Sequence, residues 1–371
     1  MKSYKAYKFR IYPNKSQQSK LAQNFGCCRF VFNHFLALQK GNYEKGGKYI
    51  SYNTLAKELP ILKKQNPFLK EVDSISLQQE LRHLDIAFQR FFKMKESGYP
   101  KFKSKKKHFF SYSTVCINNN IRIEGKKITV PKIGLVRIKQ HRTIPKEYIL
   151  KGLTIEQTPS GKYFAVLLFE YEKQVREKKV VNTVGLDYAS DGLFVDSNGN
   201  CCGYPKFFRK AQDKLAFEER KLSRMQKGSH NWEKQRIKVA KVHEKIANQR
   251  ADFLNKQSLM LAENYDLVGI EDLDMKAMSQ SLHLGKSVSD NGWGMFTSML
   301  SYKLTDRGGH LVKVSKTFPS SQLCSCCGYQ NPKTKDLSVR KWKCPNCGTD
   351  HNRDINAAIN IQKEAMRLLS A

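Results

Sequence analysis

From Ser3 to Tyr12 apolar and charged positions alternate, with Tyr7, Phe9 and Ile11 on one face and Lys8 and Arg10 on the other. That period of two predicts a strand, which Pro13-Asn14 ends. At Lys15 the period lengthens to a helical one and runs to about Lys40 through Leu21, Phe25, Cys28, Phe32, Phe35 and Leu36. Beyond the Gly46-Gly47 break a shorter helix is expected from Tyr52 to Leu59, stopped by Pro60. Leu77, Leu81, Leu84, Phe88, Phe91 and Phe92 then recur at helical steps. Lys15 to roughly Glu96 therefore reads as a small helical bundle inserted after the first strand.

Between Asn120 and Tyr171 the pattern returns to short β segments: Ile121 to Glu124, Lys127 to Val130, Leu135 to Lys139, Leu153 to Thr158 and Tyr163 to Tyr171. Turns at Gly125-Lys126 and Pro159-Ser160-Gly161 make this a compact antiparallel sheet or barrel, completed by the N-terminal strand. The charged stretch Glu172 to Lys179 reads as a linker. From Val180 the order becomes mixed α/β. Strands are expected at Val181 to Tyr188 and Gly192 to Asp196, with a hairpin at Asn198-Gly199 leading to a third. Basic helices follow from Phe208 to Asn264, broken at Gly228-Ser229. A strand at Leu267 to Glu271, a helix at Met295 to Asp306 and a strand at Gly309 to Ser315 complete the pattern.

Charge changes this picture from a fold to a function class. The chain of 371 residues is long enough for two or three packed units, and its 66 lysines and arginines against 33 acids leave +33 spread along its length. Such an excess calls for a polyanionic partner, most simply nucleic acid, with salt-sensitive affinity. A ribosomal-type basic protein and a membrane-surface binder carry similar charge, but here the basic segments are interleaved with aromatics and strands. No run approaches the ~18 apolar residues of a membrane span. The first residues lack the apolar core of a secretion signal, so an intracellular location is expected.

The stretch from Tyr99 to Tyr112 concentrates this chemistry. Lys101, Lys103 and Lys105 supply phosphate attraction, and Tyr99, Phe102, Phe109, Phe110 and Tyr112 supply rings for bases or for a sheet. The bland alternative is a solvated basic loop with core-facing aromatics.

Two features carry specific chemistry. Cys324-Ser-Cys-Cys327-Gly and Cys344-Pro-Asn-Cys347-Gly are paired C-x-x-C turns, the spacing that closes a tetrahedral site around Zn²⁺; a redox dithiol or an iron-sulfur centre are the alternatives. With all four ligands from protein, such a zinc is structural. Of the ten cysteines, Cys27, Cys28, Cys116, Cys201, Cys202 and Cys326 read as small buried hydrophobes in a reducing compartment, with Cys326 a spare thiol inside the first turn. Arg340, Lys341, Trp342 and Lys343, between the pairs, suit nucleic-acid contact, or for Trp342 packing within the knuckle.

The second feature is acidic. Gly185-Leu186-Asp187 and Gly269-Ile270-Glu271 end two apolar strands, and a period of two puts each acid on the face of its glycine, which leaves room beside it. Asp354 adds an acid at the head of a helix. Carboxylates from two strands and a helix can bind two divalent hard cations for phosphodiester hydrolysis. Each acid alone also fits an ordinary cap or surface role, and Asp191, Asp196, Asp272 and Asp274 are nearby competitors.

The order of these parts, with Gly26 to Leu36 (GCCRFVFNHFL), Tyr99 to Lys105 (YPKFKSK), Val184 to Asp187, Ile270 to Leu273, Phe318 to Gln322 (FPSSQ), the four cysteines and Asp354 to Ile361, resembles the TnpB (OrfB) transposon-encoded proteins, compact relatives of type V CRISPR effectors. The resemblance spans almost the whole chain. It implies an α/β multidomain protein: an RNase H-like (RuvC) nuclease core at 179–317 and 350–371, a zinc-ribbon insertion at 318–349, a β-barrel wedge domain at 1–12 and 113–178, and an inserted helical recognition domain at 13–112. It further implies an RNA-guided DNA endonuclease acting in transposition, with a guide RNA from the transposon end, a short transposon-adjacent motif and double-stranded target DNA. Asp187, Glu271 and Asp354 match the catalytic acids holding two Mg²⁺ ions; Cys324, Cys327, Cys344 and Cys347 match the Zn²⁺ ligands. Tyr52, Gln78 and Asn118 fall where motif contacts are expected, beside the basic Lys101, Lys103 and Lys105. One protein per RNA is expected. Asn352 stands where many relatives carry an acid. A nuclease-inactive RNA-guided DNA-binding repressor and a DNA-joining transposase accessory protein are the alternatives.

Overall fold

The computed structural model describes residues 2–370 apart from 95, 175–177, 282–284 and 337. The chain divides into two compact units, Met1–Lys173 and Gln174–Ala371. Among the described residues no helix is long and apolar enough to cross a membrane.

The first unit begins with β1 (Lys2–Tyr12), followed by α1 (Lys15–Glu44), α2 (Tyr52–Gln65) and α3 (Ser74–Lys93). Asn14 starts α1 with a reciprocal cap: its side chain accepts from the Gln17 amide at 2.9 Å, and the Gln17 side chain accepts from the Asn14 amide at 3.0 Å. Six strands follow: β2 (Phe110–Val115), β3 (Arg122–Glu124), β4 (Lys127–Val130), β5 (Gly134–Lys139), β6 (Ile149–Gln157) and β7 (Tyr163–Glu172). They form an antiparallel sheet in the order β2-β6-β7-β1-β5-β4-β3, so β1 sits at the centre and completes the sheet. Phe9, Ile11, Leu21, Phe35, Leu55, Leu81, Tyr112 and Leu167 belong to one buried cluster, so helices and sheet share a core.

Three expectations for this unit need correcting. Pro60 does not stop the second helix; it lies inside α2 and faces solvent. Leu55, Leu59 and Leu62 are buried on the inner face, and burial at about 1.5–3 kcal/mol each outweighs the roughly 3 kcal/mol of a proline in mid-helix. Phe92 is not in the packed stripe but 56% exposed. The first strand of the central β region starts at Phe110, so residues expected in the helical domain belong to the sheet. Tyr112 is consequently a core residue, unable to stack on a base.

The second unit is mixed α/β. Its strands β8 (Thr183–Tyr188), β9 (Phe194–Asp196) and β10 (Cys201–Cys202) form a meander whose hairpin turns at Gly199, at φ +87°. Helices α4 (Phe207–Ser223) and α5 (His230–Asn264) follow, the latter capped by Ser229. Then come β11 (Leu267–Glu271), the unanticipated short helices α6 (Met275–Ser281) and α7 (Gly285–Asn291), α8 (Trp293–Arg307) and β12 (His310–Val314). A two-stranded ribbon, β13 (Lys341–Lys343) and β14 (Asp350–Asn352), leads into α9 (Arg353–Ser370). The main sheet has the order β10-β9-β8-β11-β12, with β11 parallel to both neighbours.

Helix α9 lies directly on β8 and β11. A Cβ placed on Gly185 would stand 2.0 Å from the Ala358 carbonyl oxygen and 2.6 Å from the Gln362 nitrogen. One on Gly269 would stand 2.7 Å from Ala365 Cβ and 3.0 Å from the Ile361 carbonyl oxygen. The space these glycines leave is therefore filled by α9, by its backbone at Gly185 and by Ala365 and the Ile361 carbonyl at Gly269, not kept beside the acids as the strand pattern suggested. Gly185→Ala should destabilise the second unit by about 1–3 kcal/mol, because helix backbone must move to admit the methyl group. Urea denaturation that finds the variant as stable as wild type would show the contact to be compliant.

Candidate metal centre and carboxylate site

The same packing brings the acids together. Ala358 and Gln362 lie over Gly185, and Asp354 is one turn earlier, about 6 Å along the helix. Asp187 is two residues beyond Gly185, about 6.6 Å along the strand. An antiparallel crossing of helix on strand thus sets Asp354 beside Asp187, and the parallel register Leu186↔Ile270 puts Glu271 at the same end.

Electrostatics report the convergence. Burial holds the Asp187 carboxyl well above the usual carboxylate range, and Glu271 and Asp354 push it further; Arg353 opposes them. Burial also raises Glu271, against a hydrogen bond from Ser320 that favours its charged form. Asp354 is about one-third exposed, and Arg340 Nη1 lies 3.3 Å from its Oδ1. The Asn352 side chain accepts from the Asp354 and Ile355 amides at 3.0 and 3.3 Å, so this residue caps α9. Among the described residues the acids do not gather three ligand oxygens within 4.8 Å of one another; the cysteines do so with sulfur.

The competing acids are all occupied elsewhere. Asp196 is buried and accepts from the Asn198 and Asn200 amides at 2.9 and 2.8 Å. Asp191 pairs with Lys206 at 2.5 Å, Asp272 pairs with Lys313 at 2.8 Å, and Asp274 caps α6. Asp290, unmarked by any sequence pattern, is buried and accepts from the Phe208 and Arg209 amides at 3.1 and 3.4 Å, capping α4 from another part of the chain.

The candidate nucleic-acid residues belong to the first unit and divide by partner. Gln78, Asn118, Lys101 and Lys105 are exposed. Asn118 sits in a tight turn with φ +50°. Tyr52 is half-buried with the Arg82 guanidinium 5.1 Å from its ring centre. Lys103 differs: it forms an ion pair with the buried Glu80 carboxylate and lies 4.3 Å from the Phe32 ring centre, so its charge already has a partner inside the fold. A lone lysine in a basic run gives no sign of such a partner 23 residues away.

The cysteine cluster is built from two matching turns. Gly328 and Gly348 have φ of +78° and +73°, and their amides donate back to the Cys324 and Cys344 carbonyls at 2.9 Å. The Sγ atoms of Cys324, Cys327, Cys344 and Cys347 all lie within 4.8 Å of one another. Hydrogen bonds from Thr349 hold the Cys347 thiol down to about 6, which favours the ligating thiolate. His351 was missed by the sequence pattern: its Nε2 is 3.1 Å from Cys324 Sγ, and with Cys324 and the exposed Cys326 it makes a second possible ligand group. Trp342 is buried, its ring 4.6 Å from that of His351, so it packs inside the knuckle.

Comparison with known proteins sets these features in context. Residues 293–361 match the profile described as "Cas12f1-like, TNB domain", residues 166–282 that of "Probable transposase", and residues 1–48 that of "Helix-turn-helix domain". In this chain the last of these ranges holds one strand and one long helix. The "Putative RNA-guided DNA endonuclease" of Streptomyces pristinaespiralis is 36% identical, covering 96% of this chain and 88% of its own length. The Escherichia coli "Putative RNA-guided DNA endonuclease InsQ" is 34% identical over 97% of this chain and 92% of its own. A solved Cas12f1-sgRNA-target DNA complex aligns with a TM-score of 0.55 at 13% identity, over 97% of this chain and 99% of the other, a likeness of fold.

Asp187 also makes pH a probe of the site. Its proton is bound more tightly in the folded chain than in the unfolded one, so stability falls as pH rises above the ordinary carboxylate value of about 4. In magnesium-free buffer Asp187→Asn should raise the melting temperature at about pH 7.5 and give little gain near pH 4. A scan showing no difference at either pH would mean that the acid is not strained.

Proposed function

Because the chain belongs to the TnpB (OrfB) family of transposon-encoded proteins, we propose that it is an RNA-guided DNA endonuclease whose hydrolytic centre is formed by Asp187, Glu271 and Asp354. The observation that carries this reading is the convergence of three carboxylates from β8, β11 and α9 at one end of the sheet, with Asp187 raised by burial first and then by the other two. Acids packed against like charge destabilise a fold unless a cation is to be held there.

The donor set is carboxylate oxygen, which fits a hard divalent cation such as Mg²⁺, two ions in all. Asp187, Glu271 and Asp354 would hold it, and the chemistry it would supply is activation of water and stabilisation of a phosphodiester's leaving oxygen. The chain's own residues prepare the site. Strand β8 fixes Asp187 at its floor, the capped first turn of α9 presents Asp354, and Arg353 offsets part of the negative charge. Arg340 is placed to meet a phosphate near Asp354.

The four cysteines suit Zn²⁺ in a purely structural role, since sulfur fills every position of a tetrahedral shell. The excess positive charge suits a guide RNA from the transposon end and its heteroduplex with target DNA, both held by backbone shape. We assign the seven-stranded sheet to the wedge and the three helices to the recognition domain. Tyr52, Gln78, Asn118, Lys101 and Lys105 are then the motif-side contacts, and Lys103 serves the fold. One protein per RNA, acting in the cytoplasm on chromosomal DNA, completes the reading. A nuclease-inactive repressor is disfavoured because all three acids are present and converge.

Alanine at Asp187, Glu271 or Asp354 should abolish cleavage of a guide-matched DNA in Mg²⁺ while RNA and target binding persist. A variant cutting at wild-type rate would sink the assignment. Metal analysis of purified protein should find one zinc per chain, and Cys344→Ser should lower zinc content and melting temperature together; zinc-free wild type would overturn the structural-zinc claim.

A further inference from the structure

Glu271 has one side-chain partner among the described residues, and it comes from the segment leading into the knuckle. Ser320 is 5% exposed, and its Oγ donates to Glu271 Oε1. A serine on a loop would normally rotate freely, but this one is locked. Its amide donates to the Phe318 carbonyl at 2.8 Å, and its carbonyl accepts from Asn360 Nδ2 of α9 at 2.8 Å. Asn360 also donates to the Leu323 carbonyl at 2.7 Å. One turn earlier Asn356 donates to that same carbonyl at 2.7 Å and accepts from the Ser325 amide at 2.9 Å. Both asparagines are buried. Two amides on one face of the helix that carries Asp354 therefore clamp residues 320–325, the stretch containing the first knuckle cysteine.

We propose that Ser320 is a positioning residue for the nuclease site: clamped between α9 and the knuckle, its hydroxyl fixes which way the Glu271 carboxylate faces. This rests on the endonuclease reading above. A carboxylate at a strand end has two equivalent oxygens and a free terminal torsion. With Oε1 engaged by Ser320, Oε2 is left for the site that Glu271 shares with Asp187, so Glu271 enters it in one orientation instead of several. The asparagine clamp makes that orientation depend on the seating of α9, so the donor to Glu271 and the carboxylate of Asp354 are set by one helix. The knuckle, which takes no part in bond cleavage, thereby reaches the site through its leading segment.

The test uses the full chain with its guide RNA. Ser320→Ala should slow single-turnover cleavage about 10–100-fold and shift the Mg²⁺ dependence to higher concentration, as loss of a residue orienting a metal ligand typically does. Target binding should be unchanged. Ser320→Thr, which keeps the hydroxyl, should recover most of the rate. Wild-type rate and Mg²⁺ dependence in Ser320→Ala would overturn the proposal, as would a variant that melts earlier yet keeps its Mg²⁺ dependence. A threonine variant as slow as the alanine one would overturn it also. Failure of the underlying reading looks different, because wild type itself would then leave guide-matched DNA uncut.

Discussion

In the second unit α9 rests on two strand glycines, Gly185 and Gly269, with room for no side chain between. They let α9 descend until its backbone at the first, and Ala365 with the Ile361 carbonyl at the second, fill the volume a side chain would take. Interiors are packed too densely for so near an approach beside any residue with a Cβ. Once the helix is that low its register is set, and Gln362 ties it further by donating to the Thr183 carbonyl at 2.9 Å and to its hydroxyl at 2.7 Å. Asp354, Asn356 and Asn360 then stand at fixed heights above the sheet. The acid trio, the knuckle clamp and the Ser320 contact all follow from that seating.

Electrostatics separate the acids that build the fold from those that strain it. Asp196, Asp274 and Asp290 accept from backbone amides, each satisfying donors that would otherwise be orphaned at a turn or a helix start. Asp191 and Asp272 pair with lysines at the surface. Asp187 has burial and two like charges against it, with only Arg353 and a backbone amide in its favour. A fold that keeps such a residue gives up stability, which the cation of the proposed function would return. The polar groups of the clamp show the opposite economy, since Asn356 both donates and accepts, Asn360 donates twice, and together they hold two chain segments in one arrangement.

Much of this was legible from periodicity and spacing. A period of two gave β1 within a residue of its bounds, and short apolar or turn-bounded segments gave β4 and β11 as they stand. Metal-ligand spacing gathered the four sulfurs. The acids could be named because each ends a strand or opens a helix, positions that pattern reading locates well. What escaped were contacts between segments distant in sequence. Pro60 reads as a helix stop until the three buried leucines around it are counted. Lys103 looks like a phosphate ligand until the buried Glu80 is found beneath it. Ser320 lies in a segment that supported the family resemblance, yet nothing local links it to Glu271, 49 positions earlier.

The two glycines show that the residue pattern marked where the acids converge for a reason other than the one it suggested. A small residue two positions before a strand-end acid does indicate that something occupies the shared face, and the inference stops there. It cannot say whether the occupant is a cation or a helix, since both need the same absence of a side chain. Here the occupant is α9, and the acid lies just beyond the glycine because α9 must end where Asp187 begins. Had the glycines been there to admit a metal, an alanine at 185 would crowd the site and leave the fold intact. Because they admit a helix, the same substitution moves Asp354 away from Asp187, so loss of stability and loss of the site become one event.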